Sequence, residues 1–269
     1  MLTKTIKTPF GETELNIKGQ GPKLLVLHGG PGFTHNYLVE PLKDLSSNYT
    51  LIFYNQPSLT DAQKSGEKFT PNYIYRHFRW LSHHLSETEE PINIIAHSWG
   101  SLVFLASQAG PNLSNEPTCT FDKTLLINPV PVTAKKFSLT SQNLIKRLSL
   151  MDRLKLTYWT ISKKEGSEIM KALLPFYVND PSTIPVEEMP LDKQSYLKLI
   201  PQLKKFDYSQ SLPNIPNLKL LCCEQDFISL DLLDDLTKTY PEIETIKNCG
   251  HYPFWEKRTE FNRIIQNFF

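Results

Sequence analysis

Residues 91–104 read PINIIAHSWGSLVF, and two apolar runs in them are separated by a short polar cluster. The first run, around Ile92, Ile94 and Ile95, is rich in β-branched residues and too short for a helix of its own, so it reads as a buried parallel strand. From Trp99 onward the apolar residues Leu102, Val103, Leu105 and Ala106 precede Gly110-Pro111, a helix stop, so this half reads as a helix. Almost no loop residues lie between the two. Ser98 is therefore expected on a sharp strand-to-helix turn.

Outward from that junction the chain keeps a regular rhythm. Toward the N-terminus, KTIKT and ELNIKGQ flank a Pro-Phe-Gly turn and read as an antiparallel hairpin. The strand KLLVLHGG, a helical stretch through NYLVEPLKDL and the strand TLIFYNQ follow. In NYIYRHFRWLSHHL, Ile74, Phe78, Leu81 and Leu85 recur at helical spacing, one apolar stripe on a helix. After the junction come the strand KTLLINPV, a long helical stretch, the strand LKLLCCE, a short helix, the strand IETIK and a last helix to Phe269. Strands alternating with helices imply an α/β protein with a parallel sheet covered on both faces. The stretch 132–213 breaks the rhythm, offering helical patterns such as QNLIKRLSLMDRL and no convincing strand. It reads as a helical cap on a core formed by 1–131 and 214–269.

Composition narrows the partners. The 269 residues are 40% hydrophobic and 21% charged with a net charge of +1, an ordinary globular balance. That balance carries no global basic field for nucleic acid and no polybasic run for a membrane surface, so no nucleic acid and no membrane are expected as partners, and a small molecule or short peptide is. The cap is the basic part, with thirteen Lys and Arg against eight Asp and Glu, which leaves the rest of the chain acidic. Cys119, Cys222, Cys223 and Cys249 lack a C-x-x-C spacing and read as buried thiols of a reducing compartment. The N-terminal stretch has no apolar core of a secretory signal and no transmembrane span appears, so a cytoplasmic location is expected.

Ser98 alone reads equally well as a helix-capping serine. With small residues two before and two after it, Ala96 and Gly100, it also meets the nucleophile-elbow pattern except that Ala96 replaces the first glycine. A serine hydroxyl needs a general base, and the base an orienting acid, in the chain order Ser, Asp or Glu, His. Asp226 follows the strand LKLLCCE, at a carboxyl end where such sheets carry their functional groups. His251 lies in the Gly-His loop of KNCGHYPFWE. These assignments make Ser98 the nucleophile, His251 the base and Asp226 its orienting carboxylate. The oxyanion of an acyl-transfer transition state needs positioned donors. The Trp99 amide is one candidate, and the Gly30 amide, in the side-chain-poor loop LHGGPGF, is the other. His28 and His97 read as structural histidines under these loops. His77, His83 and His84 read as a solvated helix face rather than a metal site.

The motifs H-G-G-P-G at 28–32, A-H-S-W-G-S at 96–101, E-Q-D at 224–226 and G-H-Y-P-F-W-E at 250–256 resemble the proline iminopeptidase branch of the α/β-hydrolase fold over nearly the whole chain outside the cap. The resemblance implies an eight-stranded, mostly parallel sheet flanked by helices, with the cap inserted after the sixth strand. It also implies a covalent acyl-enzyme and neither a metal nor an organic cofactor. Ser98, Asp226, His251, Trp99 and Gly30 match the family's positions. Two departures stand out. Family members usually continue the strand after the first helix as Asp-Gln and an Arg-Gly loop, whereas here it runs YNQPSLTDAQKSG, with Asn55, Pro57 and Ser58. Aminopeptidases of this branch hold the substrate amine with carboxylates, sometimes one beside the catalytic acid, and that neighbour here is Phe227. Glu165, Glu168, Glu187 and Glu188 of the cap are the remaining candidate amine anchors. An amide-cleaving, proline-iminopeptidase-like hydrolase is expected, with an esterase, thioesterase or lactonase as the alternative and a non-catalytic binding protein as a third class on the same fold.

Overall fold

A computed structural model describes residues 1–86, 91–109, 119–162 and 166–269, without the side chains of 159–161. The apolar runs form β1 (Leu2–Thr8), β2 (Gly11–Lys18), β3 (Lys23–Leu27), β4 (Thr50–Tyr54), β5 (Ile92–His97), β6 (Phe121–Ile127), β7 (Leu218–Cys223) and β8 (Ile243–Ile246). They join one eight-stranded sheet in the order β1-β2-β4-β3-β5-β6-β7-β8. The hairpin β1–β2 is antiparallel, and β2 joins β4 antiparallel. Every pairing from β4 to β8 is parallel. All six residues of β5 are buried, as a central parallel strand with both faces covered requires.

Side chains alternate across the strands and divide the core in two. Leu25, Leu27, Ile94 and Ala96 pack on one face with α3 (Pro71–Leu85) and α4 (Trp99–Ala109). Leu24, Val26 and Ile95 pack on the other with α11 (Arg258–Phe268), through Phe261, Ile264 and Ile265. Between β6 and β7 stand α5 (Ala134–Arg147), α6 (Leu150–Ile161), α7 (Gly166–Tyr177) and α8 (Lys193–Leu199). No strand occurs there among the described residues apart from a single bridge, Thr133 to Asp207. The short helices α9 (Asp234–Thr239) and α10 (Pro253–Glu256) complete the chain.

Two local expectations are corrected, and one helix appears beyond those expected. NYLVEPLKDL is not one helix but a single turn, α1 (Asn36–Val39), followed by a 3₁₀ turn at Lys43–Ser47. Pro41 interrupts it, because it donates no amide hydrogen and its ring crowds the preceding turn. The rebuilt segment after β4 contains α2 (Leu59–Ser65), opened by a reciprocal Ser58–Asp61 capping box and closed by Gly66 in the left-handed conformation. His77 is not solvated. It is 2% exposed, bonded through Nε2 to the Thr13 hydroxyl and stacked on Tyr54. The helix stop at Gly110-Pro111 lies outside the described residues.

Candidate active site

The parallel strands deliver their following residues to one end of the sheet: the His28–Phe33 loop after β3, Ser98 after β5, Asn128 after β6 and Asp226 after β7. Ser98 sits between β5 and α4 with φ of 52°, a strained left-handed conformation for a residue with a side chain. The turn is held by its amide, which donates to the Ile127 carbonyl at 2.9 Å, and by the Ser101 hydroxyl, which donates to the Ser98 carbonyl at 2.6 Å. Gly100 permits the close crossing beneath it. A Cβ there would lie 2.7 Å from the His28 carbonyl oxygen.

The structure brings Ser98, His251 and Asp226 together. His251 Nδ1–H donates to Asp226 Oδ2 at 2.7 Å, which leaves Nε2 as the acceptor facing the Ser98 hydroxyl at 2.9 Å. Asp226 and His251 have side chains 1% and 3% exposed. The second Asp226 oxygen, Oδ1, accepts the Ile228 amide. Phe227 packs against the His251 ring, with centroids 4.8 Å apart, and Tyr177 closes on both.

A hydrogen-bonded frame absent from the sequence reading holds the His251 loop. The Gly29 amide donates to the Tyr37 hydroxyl at 2.6 Å, Tyr37 donates to His97 Nδ1 at 2.9 Å, and His97 Nε2–H donates to the His251 carbonyl at 3.0 Å. Three loops of the site are thus tied through one buried chain. His97 is held neutral, its pKa far below the usual value because it is buried and lies beside His251. Asn128 Nδ2 donates to the same carbonyl at 3.1 Å while its Oδ1 accepts the Cys223 amide, linking the end of β7 to the His251 loop. Glu256 accepts the amides of Gly250, Tyr252 and Asn179. Burial raises the Glu256 pKa, and those amides oppose the rise. The histidine pair His28 and His97 is structural, as the sequence suggests. His28 Nδ1–H donates to the Gly29 carbonyl and its Nε2 accepts the Gln56 amide. Gln56 also accepts the Trp99 indole N–H at 2.8 Å, so the Trp99 side chain is buried and fixed while its amide opens the helix.

Ser98, His251, Gly30, Trp99 and Phe227 all border one cavity of about 280 Å³. Its walls are apolar, with Phe137, Leu144, Ile169, Met170 and Leu173 coming from the helices between β6 and β7. Among the described residues no carboxylate borders it, and Lys193, which donates to the Ser162 carbonyl, is its one charged side chain. The expected amine anchors do not converge there. Glu168 is exposed on α7. Glu187 is 77% exposed in its side chain and lies 3.5 Å from Lys171. Glu188 is half-buried beside Glu40, its pKa raised by burial and by that like charge. The turn Val186–Glu188 packs Val186 against the core and leaves Glu187 outward. Glu165 lies outside the described residues. No group of three or more metal-ligating side chains gathers among the described residues.

Residues 24–264 match the Alpha/beta hydrolase family, and the chain belongs to it. It is 24% identical to a proline iminopeptidase of Saccharolobus solfataricus over 94% of this chain and 86% of that protein. Among solved structures it superposes on VinJ with a TM-score of 0.73 at 16% identity, covering 99% and 97% of the two chains. A proline iminopeptidase-related protein of Thermus thermophilus gives 0.69 at 20% identity, covering 100% and 97%.

Proposed function

We propose that this protein is a serine hydrolase that cleaves esters or amides of a small, apolar acyl group through a covalent acyl-enzyme. The observation that carries this reading is the Ser98–His251–Asp226 chain of hydrogen bonds opening on an apolar cavity. His251 Nε2 takes the Ser98 proton as Oγ attacks the acyl carbon, and Asp226 holds Nδ1–H and stabilises the imidazolium. The developing oxyanion is received by the Trp99 amide, left without an intrahelical acceptor at the start of α4, and by the Gly30 amide. Collapse breaks the bond to the leaving group, which leaves with the proton from His251. Water then attacks the acyl-serine, His251 accepting its proton and returning one to Ser98. The lining selects the substrate. An ammonium group buried without a carboxylate is costly, so an uncharged acyl group fits this cavity better than a free N-terminal amine.

The relatives named proline iminopeptidases support an aminopeptidase as the second reading, with Glu165 as its remaining cap candidate. A fluorophosphonate should label wild-type protein on Ser98, and Ser98→Ala should abolish labelling and turnover while the fold persists. Labelling of the alanine variant at the wild-type rate refutes the assignment. A panel of short-chain esters, prolyl amides and other aminoacyl amides separates the two substrates. Under the aminopeptidase reading Glu165→Gln lowers amide turnover about tenfold, the loss of one charge-assisted hydrogen bond, and spares esters.

A further inference from the structure

Seven of the eleven large hydrophobic side chains exposed among the described residues lie on the helices between β6 and β7. The densest group is on α6, where Leu150, Met151, Leu154 and Tyr158 are 75, 60, 57 and 65% exposed. Positions separated by one, three and four residues share one side of a helix, so these side chains form a ridge. Ile145, 46% exposed at the end of α5, extends it. A contiguous apolar ridge of this kind on a soluble chain marks a contact surface.

Charge selects what touches it. Helices α5 and α6 carry six Lys and Arg and one acid, Asp152. Lys136 is committed to Asp234 and Asp235. Arg147 and Arg153 donate to backbone carbonyls and keep their charge. Lys146 and Lys155, next in the chain to Ile145 and Leu154, are exposed. The near-neutral total of the chain hides this segregation, which is why composition argued against a membrane-surface partner. Ile145 and Leu156 of the same two helices, with Leu148 between them, border the cavity, so ridge and cavity are two sides of one roof.

We propose that the α5–α6 ridge docks on an anionic phospholipid bilayer. Flexible, protruding Leu and Met side chains need no matching socket in a fluid acyl layer, whereas a folded partner would have to supply a groove. The flanking lysines reach up to anionic headgroups while their stems stay with the apolar ridge. Docking is read without turnover, so its failure leaves the serine-hydrolase reading untouched, and failure of that reading leaves docking measurable.

The test is co-sedimentation of the full chain with vesicles of phosphatidylglycerol and phosphatidylcholine, against vesicles of phosphatidylcholine alone. The expected result is binding to the anionic vesicles that weakens with salt. Affinity should fall about fivefold for each of Lys146→Gln and Lys155→Gln, the worth of one basic residue near an anionic leaflet. The triple variant Leu150→Ser, Met151→Ser, Leu154→Ser should lose binding. It should still hydrolyse a soluble short-chain ester, because none of the three borders the cavity. Failure of wild-type protein to bind anionic vesicles, or equal binding by the triple variant, overturns the proposal. So does a wild-type dimer in solution that the triple variant dissociates, since the ridge would then be an interface between copies.

Discussion

Replacing Gly250 by alanine adds one methyl group at the most confined point behind His251. A Cβ on Gly250 would lie 2.4 Å from the Tyr177 carbonyl oxygen and 2.8 Å from Val178 Cα. Ordinary contact begins near 3.4 Å, so about 1 Å of movement is required. The neighbours on the other side cannot yield freely. The His251 amide donates to the same Tyr177 carbonyl at 2.8 Å, and the Gly250 amide is held by Glu256. The His251 loop must therefore shift relative to Ser98, stretching a contact that is 2.9 Å in the native protein. A displacement of about 1 Å between reacting groups lowers turnover by roughly a hundredfold, and overpacking of this size lowers stability by about 1–3 kcal/mol. Short-chain ester kinetics would show kcat reduced with KM little changed, and urea denaturation run alongside would give the stability. A folded Gly250→Ala protein with wild-type kcat would refute the view that this close approach sets the position of the base.

Three further outcomes follow from the same geometry. Tyr37→Phe leaves the Gly29 amide and His97 Nδ1 without their buried partner, so unfolding free energy should drop by about 2–4 kcal/mol, with kcat reduced, and an unchanged urea midpoint would contradict the frame. His251→Ala should lose nearly as much activity as Ser98→Ala, whereas Asp226→Asn should retain more, because the carboxylate orients the base without touching substrate; wild-type rates for Asp226→Asn would move the acid elsewhere. Stability should fall with acid. Burial lowers His28 and His77 from 6.5 to about 4, so the unfolded chain binds more protons between these values, and stability present above pH 6.5 is lost as pH drops toward 4. The slope reaches about 1.4 kcal/mol per pH unit for each histidine only below the unfolded value, so the two account for about 3 kcal/mol between pH 6.5 and 5. Denaturant midpoints equal at those two pH values would show that these rings are protonated or hydrated in the folded state.

The elements and their order were legible because their signals are local. Short β-branched apolar runs, helical spacing in 71–85 and the compressed junction around Ser98 each depend on residues a few positions apart, and backbone sterics act over that range. Ser58, Asp61 and Gly66 spell the caps of α2, but its two turns are too short for a helical period to show in the sequence. Ser98, Asp226 and His251 could be proposed from chain order and from their places at the ends of strands, because a parallel sheet carries all its strand ends to one side. What only the tertiary structure decided is direction and distant pairing. Tyr37, His97 and His251 lie 60 and 154 residues apart along the two links of their chain, so no spacing announces that they bond. The cap carboxylates looked like amine anchors while their facing was unknown. Helix packing turned the apolar sides of those segments to the cavity and left Glu168 and Glu187 outside, because burying apolar area is favourable and burying an unpaired charge is not.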